Sequence, residues 1–358
     1  MHSHDDVRIS LGPSLQLPGD DTMTVLWETD RPCIGSVSCI SPDDEERTVS
    51  SDNRTASTQH RITIAGLTPK TMYQYRVKAG DRVLHESTFR TLVKHSTYRV
   101  AIAGDIHAPR EEFGYIVPVL KESRPDFMVF LGDFVYRSDD NHWPSFFRMG
   151  KGLFDRVPLF PVVGDHDLGL KDKYGLFSRY FCTPNENGRS HFYYARTVSN
   201  DVLLFFDTNK IWGFYWQAFW VYRYLKKRAK QGDIRYLFVF AHKGPISFKG
   251  GRPGLYGIRT LFGMLKRYGV AAIFSGHDHH YIRGRSHSGI PLFISGGAGG
   301  GRPYRIYPDN AHAKLSGSME YGEICRHFLV LDVSDHECSV TAVDETGRII
   351  EKTRLSPL

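Results

Sequence analysis

The sequence predicts two unlike parts, an all-β sandwich over residues 1–93 and a larger α/β (α+β) sandwich over residues 97–358. The first part is read from short alternating stretches. "MTVLWETD", "RITIAGL", "YQYRVKAG" and "HESTFRTL" alternate apolar and polar residues and are separated by Gly, Pro, Asp and Asn clusters. A period of two belongs to strands with one face buried, and none of these stretches carries a helical period. From "YRVAIAGD" onward the pattern changes. Phe113, Ile116, Val117 and Leu120 recur at i, i+3, i+4 and i+7, which predicts a helix, with Pro118 inside it as a site for a kink. "FMVFLGD", "LFPVVGD", "VLLFFDT", "YLFVFAH", "AAIFSGH" and "PLFISGG" are apolar almost throughout. Such runs fit strands buried on both faces. The last stretch, "HFLVLDVSDHECSVTAVDETGRIIEKTRL", returns to hairpins, and no internal repeat is visible.

Composition narrows the partners only slightly. Lys and Arg number 46 against 39 Asp and Glu, giving +7 and a pI near 9.0, which suits anionic partners of many kinds. No long Lys/Arg block gives a specific nucleic-acid signal. No uninterrupted apolar segment approaches the roughly 20 residues of a membrane span, so no transmembrane segment is expected. "MHSHDDVRIS" lacks the basic and apolar regions of a secretory leader, so the chain as written reads as cytoplasmic, or as exported if a leader was removed. His2 and His4 receive no role, and the "NRT" at Asn53 matters only for a chain secreted by a eukaryote. The five cysteines are odd in number and scattered. Cys33 and Cys39 on one straight strand would sit roughly 20 Å apart, although a turn at Gly35 would bring them closer; free thiols are expected. Oligomeric state leaves no trace in the sequence.

The chemistry is carried by the ends of the apolar runs. "AIAGD" ends at Asp105 with His107 two residues on; "MVFLGD" ends at Asp133; "FPVVGD" ends at Asp165, followed by His166. "LFVFAH" ends at His242, and "IFSGH" ends at His277 with His279 following. A single Gly-Asp pair is ordinarily a turn. Five strand ends that each deliver Asp or His are not, because α/β sheets bind ligands outside the carboxyl ends of their strands. Three carboxylates and, His166 aside, four imidazoles exceed the needs of one ion. They suit two ions about 3.5–4 Å apart that share a bridging carboxylate. Asp278 and His280 read as spacers facing solvent or lying behind the ligands, and Tyr281 and Arg283 as strand residues or site residues. The glycine-rich "SGGAGGGRP", residues 295–303, lacks the Lys-Ser/Thr of a phosphate loop and reads as a loop at the site rim. The aromatic segment 210–228 has helical spacing; packing in the core or rim is the default, and a lipid- or partner-contacting face the alternative.

In this order, "GDIH", "GDFVY", "GDHD", "VFAH" and "GHDHHYIR" resemble the motifs of the calcineurin-like metallophosphoesterases, over residues 97–358. The sandwich ahead of them, the Tyr of "GDFVY" and the "HxYxR" pattern are similar to purple acid phosphatases. "GLTPKTMYQYRV" resembles the strand corner of fibronectin type III domains, with Tyr73 or Tyr75 as the anchoring residue. The resemblance implies a metallophosphoesterase sandwich with a fibronectin III-like N-terminal domain, holding two divalent or trivalent transition-metal ions (Fe, Zn or Mn). It implies Asp105, His107 and His279 on one ion, Asp165, His242 and His277 on the other, and Asp133 between them. His166 would act as acid or transition-state donor near the leaving oxygen, with Asp167 orienting it. The implied activity is acid-phosphatase-like hydrolysis of a small-molecule phosphomonoester by a hydroxide bridging the metals. The alternatives are a phosphodiesterase of nucleotides or lipids on the same site, or a binding module whose metal site is inactive.

The chain departs from the family pattern at three places. Asp165 stands where the family usually has Asn, adding a negative charge among the ligands. Tyr136 and His107 are both present, although purple acid phosphatases use the Tyr and lack that His; His107 is the favoured ligand, with Tyr136 behind it or contacting substrate. "GDFVYRS" keeps Arg137 where phosphoprotein phosphatases grip phosphate but has lost the preceding acid, so Arg137 is a candidate phosphate clamp.

Overall fold

The computed structural model describes residues 7–41, 47–50, 55–93, 97–170, 172–183, 192–209, 214–231, 234–250, 254, 265–299, 305–308 and 317–356. Asn53, His2, His4, part of the glycine-rich stretch (300–303) and residues 184–191 of the loop after Cys182 lie outside them.

The N-terminal part is built only of strands, as its period of two requires. They are β1 (Ile9–Gln16), β2 (Thr22–Cys33), β3 (Gly35–Ile40), β4 (Arg47–Ser50), β5 (Ser57–Ala65), β6 (Met72–Ala79) and β7 (Arg82–Arg90). β4-β3-β6-β7 form one sheet, and β1-β2-β5 face it across a core that includes Trp27, Val37, Ile64, Tyr73 and Val77. The Thr68 N–H donates to the Tyr73 hydroxyl at 3.0 Å, so Tyr73 is the corner residue. Tyr75 packs in the same core, and its hydroxyl reaches beyond it to donate to the Asp155 carbonyl at 2.8 Å.

The second part contains β8 (Tyr98–Ala103), β9 (Phe127–Phe130), β10 (Leu159–Pro161), β11 (Tyr194–Val198), β12 (Asp201–Phe206), β13 (Leu237–Ala241) and β14 (Val270–Ser275). The remaining strands are β15 (Tyr281–Ser286), β16 (Pro291–Ser295), β17 (Gly317–Glu323), β18 (His327–Val333), β19 (Cys338–Asp344) and β20 (Ile349–Leu355). The helices are α1 (Phe113–Glu122), α2 (His142–Met149), α3 (Gly175–Tyr180) and α4 (Phe214–Arg228). β8, β9 and β10 run parallel in one sheet; β12, β13, β14 and β16 run parallel in the other. Alternate residues of the first sheet face inward: Val100 and Ile102 join Phe205, Phe240 and Phe274 of the second sheet in the shared core. Their neighbours Ala101 and Ala103 face out, under α1 and α2. Burial on both faces explains the unbroken apolar runs. α1 buries Phe113, Ile116, Val117 and Leu120, the four residues whose spacing predicts it, with Pro118 inside.

The two parts are continuous. β1 pairs in parallel with β10 through Gln16 and Leu159, so β1, β2 and β5 extend the sheet of β8, β9 and β10 to nine strands. Gln16 is fully buried and satisfied: it accepts from the Cys182 N–H at 2.7 Å and donates to the Tyr180 carbonyl at 2.8 Å. Arg179 meets Glu28 at 2.9 and 3.1 Å. The cysteines are free, as expected. Among the described residues no helix is long and apolar enough to cross a membrane.

Candidate metal centre

The polar ends of β8, β9, β10, β13 and β14 converge where the two sheets meet at their carboxyl edges. Four of the side chains leave the chain from strained backbone. Asp105, His107, Asp133 and His277 have φ of 61°, 52°, 55° and 68°. Each costs roughly 1–2 kcal/mol in a residue with a Cβ. Neighbouring loops hold them there: the Asp105 N–H donates to the Gly132 carbonyl and the His107 N–H to the Asp133 carbonyl, both at 3.0 Å. The glycines of the repeated Gly-Asp motif have a steric reason. A Cβ on Gly132 would lie 2.7 Å from the Gly164 nitrogen and from His242 Nδ1, and one on Gly164 would lie 2.1 Å from Asp133 Oδ1.

Two separate groups of candidate ligand atoms result, and a third, His107, Asp133 and His166, overlaps both. Asp105, His107 and His279 form one; Asp133, Asp165, His242 and His277 form the other. His279 Nε2 is 3.3 Å from Asp105 Oδ1, and His242 Nε2 and His277 Nδ1 are 3.0 and 3.4 Å from Asp165 Oδ1. Asp133 Oδ2 lies between the groups, 3.5 Å from His107 Nε2 and 3.3 Å from His242 Nε2. Its other oxygen accepts the His166 N–H at 2.9 Å. Asp133 Oδ2 and both ring nitrogens of His107 are buried without a hydrogen-bond partner. Buried polar atoms left bare are costly, and a pair of cations is what this donor set fits. The His242 tautomer is set from behind: Nδ1–H donates to the Leu131 carbonyl at 2.7 Å, leaving Nε2 for the centre. Burial alone would raise the Asp105 and Asp165 carboxyls, but the surrounding imidazoles hold both well below the usual carboxylate range. Burial would likewise lower His242; Asp133, Asp165 and Asp105 outweigh it and raise that imidazole well above its ordinary value.

Other sequence-predicted residues fall in different places. His166 is partly exposed, its ring centroid 4.6 Å from that of His107. It is oriented by the Tyr136 carbonyl, which accepts its Nδ1–H at 2.7 Å, and not by Asp167. The Asp167 carboxylate is fully buried and accepts backbone N–H groups from Gly164 (2.8 Å), Asp133 (2.9 Å), Phe134 (2.9 Å) and Val135 (3.4 Å). It shapes the loop that presents Asp133. The Tyr136 ring is 49% exposed, 6.1 Å from the His107 ring, with Arg110 5.7 Å over it. Arg137 is exposed on the same loop. Asp278 and His280 do not face solvent: both are buried, and Asp278 accepts from the Ser247 hydroxyl and the Phe248 N–H. Tyr281 and Arg283 hold the two sheets together through Glu351, each at 2.9 Å. Gly296, Gly297 and Gly299 line a cavity of about 390 Å³ beside His279, with Cys325, Arg326 and Thr346 on its far wall.

Lys243 is a site residue that strand-end reasoning passes over. Its Nζ lies 3.2 Å from Asp165 Oδ1, the oxygen that His242 and His277 also approach. The signal was present in the sequence, directly after His242, but its partner is distant in the chain. A unit charge beside a metal ligand, partly screened, contributes on the order of 1–2 kcal/mol. Lys243→Met is therefore expected to hold metal about tenfold more tightly against a chelating dye, while KM for the phosphate ester rises. Unchanged retention and unchanged KM would show that the ammonium acts on neither.

The double sheet, its helices and the clustered Asp and His side chains define a metal-dependent hydrolase of phosphate esters. Residues 98–281, more than half of the chain, match the calcineurin-like phosphoesterase family, and the chain belongs to that family. Residues 11–91 match the purple acid phosphatase N-terminal domain. Tartrate-resistant acid phosphatase type 5 of Homo sapiens is 24% identical over 258 residues, 64% of this chain and 79% of that protein. Purple acid phosphatase 15 of Arabidopsis thaliana is 25% identical over 306 residues, 70% of this chain and 55% of that longer protein. The solved structure of PhoD superposes with a TM-score of 0.74 at 11% identity, covering 99% of this chain and 94% of that one, a likeness of fold.

Proposed function

We propose that the chain hydrolyses phosphomonoesters at a centre of two transition-metal ions. Asp105, His107 and His279 hold one, Asp165, His242 and His277 the other, and Asp133 joins them. The observation that carries this reading is the bare Asp133 Oδ2, buried between the two donor groups. Bound there, two ions would ionise a shared water near neutral pH and neutralise the phosphoryl oxygens. Iron, zinc and manganese all suit Asp and His donors. His107 is favoured over Tyr136 as a ligand because its two ring nitrogens are buried and unpartnered, whereas the Tyr136 ring is half exposed.

The protein's own groups do the rest. His166, fixed through Nδ1–H, keeps Nε2 for the leaving oxygen and donates a proton or hydrogen bond as the ester bond breaks. Lys243 stands beside Asp165, where a phosphoryl oxygen would arrive, and Arg137 is a clamp from the rim. Residues 97–358 form the catalytic unit and residues 1–93 a fibronectin III-like brace, a division supported by the change of pattern between them. The acid phosphatase relatives favour monoesters. The cavity beside His279 favours a second reading, a diester whose second substituent sits against Arg326 and Thr346. Turnover of an aryl phosphate and of the matching bis-aryl phosphate on metal-loaded protein separates them. A kcat/KM higher for the monoester supports the first reading; the reverse order overturns it.

A further inference from the structure

Helix α4 presents a surface that the hydrolytic site does not use. Gln217, Val221 and Leu225, at i, i+4 and i+8, turn inward, the last two into the core outside the second sheet. The opposite arc is exposed and divided along its length. Its first half carries Tyr215 (79% exposed), Trp216 (61%), Phe219 (55%) and Tyr222 (40%). Its second half carries Arg223, Lys226 and Lys227, with Lys230 just beyond the helix, all exposed. The helix contains no acidic residue. Arg223 lies 5.7 Å from the Phe219 ring and Lys226 5.8 Å from that of Tyr222, so cations and aromatics share one face.

We infer that this face docks the protein on an anionic lipid surface. Four large aromatics exposed on one helix form an apolar patch of the kind that marks an interaction site. Aromatic rings with polar tips sit well at the level of lipid head groups, and basic side chains beside them are drawn to anionic lipid. Charge selects this occupant over a second copy of the chain. Two such faces would bring eight exposed cations together with no acid of either helix among them. The geometry adds a consequence. The Gln217 amide holds the Asp207 backbone at 3.2 and 2.8 Å, and Asn209 donates to the Val163 and Gly164 carbonyls just before Asp165. The aromatic end of α4 thus lies on the same edge of the sheets as the candidate metal centre, and docking brings that centre close to the lipid surface.

The test is co-sedimentation of the full chain with vesicles of phosphatidylcholine alone and with added phosphatidylglycerol. Two double variants are compared, Trp216→Ser with Phe219→Ser and Lys226→Glu with Lys227→Glu. Turnover of a soluble phosphate ester serves as the control for folding, since α4 lies outside the catalytic machinery. Partitioning onto the anionic vesicles is expected to fall more than about twentyfold in the charge-reversal pair, at about fivefold per basic side chain. A loss of about tenfold is expected in the aromatic pair. Equal binding to both vesicle types, or anionic binding that survives either double variant, would overturn the proposal. So would no vesicle binding together with self-association that the aromatic variant abolishes, which would assign the face to a second copy.

Discussion

Asp133→Asn is expected to lower kcat by at least about a thousandfold, on the order of 4 kcal/mol of transition-state stabilisation, with metals supplied in excess. The two carboxylate oxygens of Asp133 have different duties. Oδ1 accepts the His166 N–H, and Oδ2 lies bare between the donor groups. An amide keeps only one acceptor oxygen. If that oxygen faces His166, an NH2 group points at the ions; if it faces the ions, the NH2 meets the His166 N–H. Either orientation breaks the joint between the groups and shifts the loop that carries His166. Near-normal turnover with metals retained would remove Asp133 from its bridging role.

Asp167→Asn is expected to do the opposite, damaging the fold first. The Asp167 carboxylate gathers the N–H groups of Gly164, Asp133, Phe134 and Val135 on its two oxygens. Burial and the neighbouring Asp133 push its pKa up, while the backbone N–H groups favour the charged form. An Asn would turn NH2 toward at least one backbone donor and leave it buried and unpaired. The expected loss is about 3–5 kcal/mol, read as a lower urea midpoint with an unchanged m-value. Activity should fall with it, because the backbone at Asp133 is held at φ 55° and loses its anchor. A midpoint within experimental error of the native one would mean that the carboxylate does not hold this loop.

What could be read in advance, and what could not, follows from the range of each interaction. α1 was legible because four apolar residues at helical spacing all fell on one buried face. The clustering of the candidate ligands is legible because each strand ends in its own Asp or His, so local patterns sum to a site without knowledge of the pairing. The continuous nine-stranded sheet was not, since it depends on Gln16 meeting Leu159 in parallel, a contact with no local signature. Adjacency in the sequence pairs Asp167 with His166, yet its carboxylate reaches the loop of Asp133, because four backbone donors outcompete one imidazole. Asp278 and His280 read from the sequence as spacers that face solvent or lie behind the ligands; the chain turns back between β14 and β15 and buries both, which decides for the second. Helical spacing of the aromatics in 210–228 reads as packing in the core or rim, with a contact face as the alternative; the helix is half packed, because seven of its fifteen residues are aromatic and one stripe suffices to seat it.

The most direct test of the account is the metal content of the purified protein, by elemental analysis alongside protein concentration. About two transition-metal ions per chain, falling in Asp133→Asn, is the expected result. No bound metal, and none taken up after incubation with iron, zinc or manganese, would contradict the two-ion centre and with it the hydrolytic mechanism assigned to these residues.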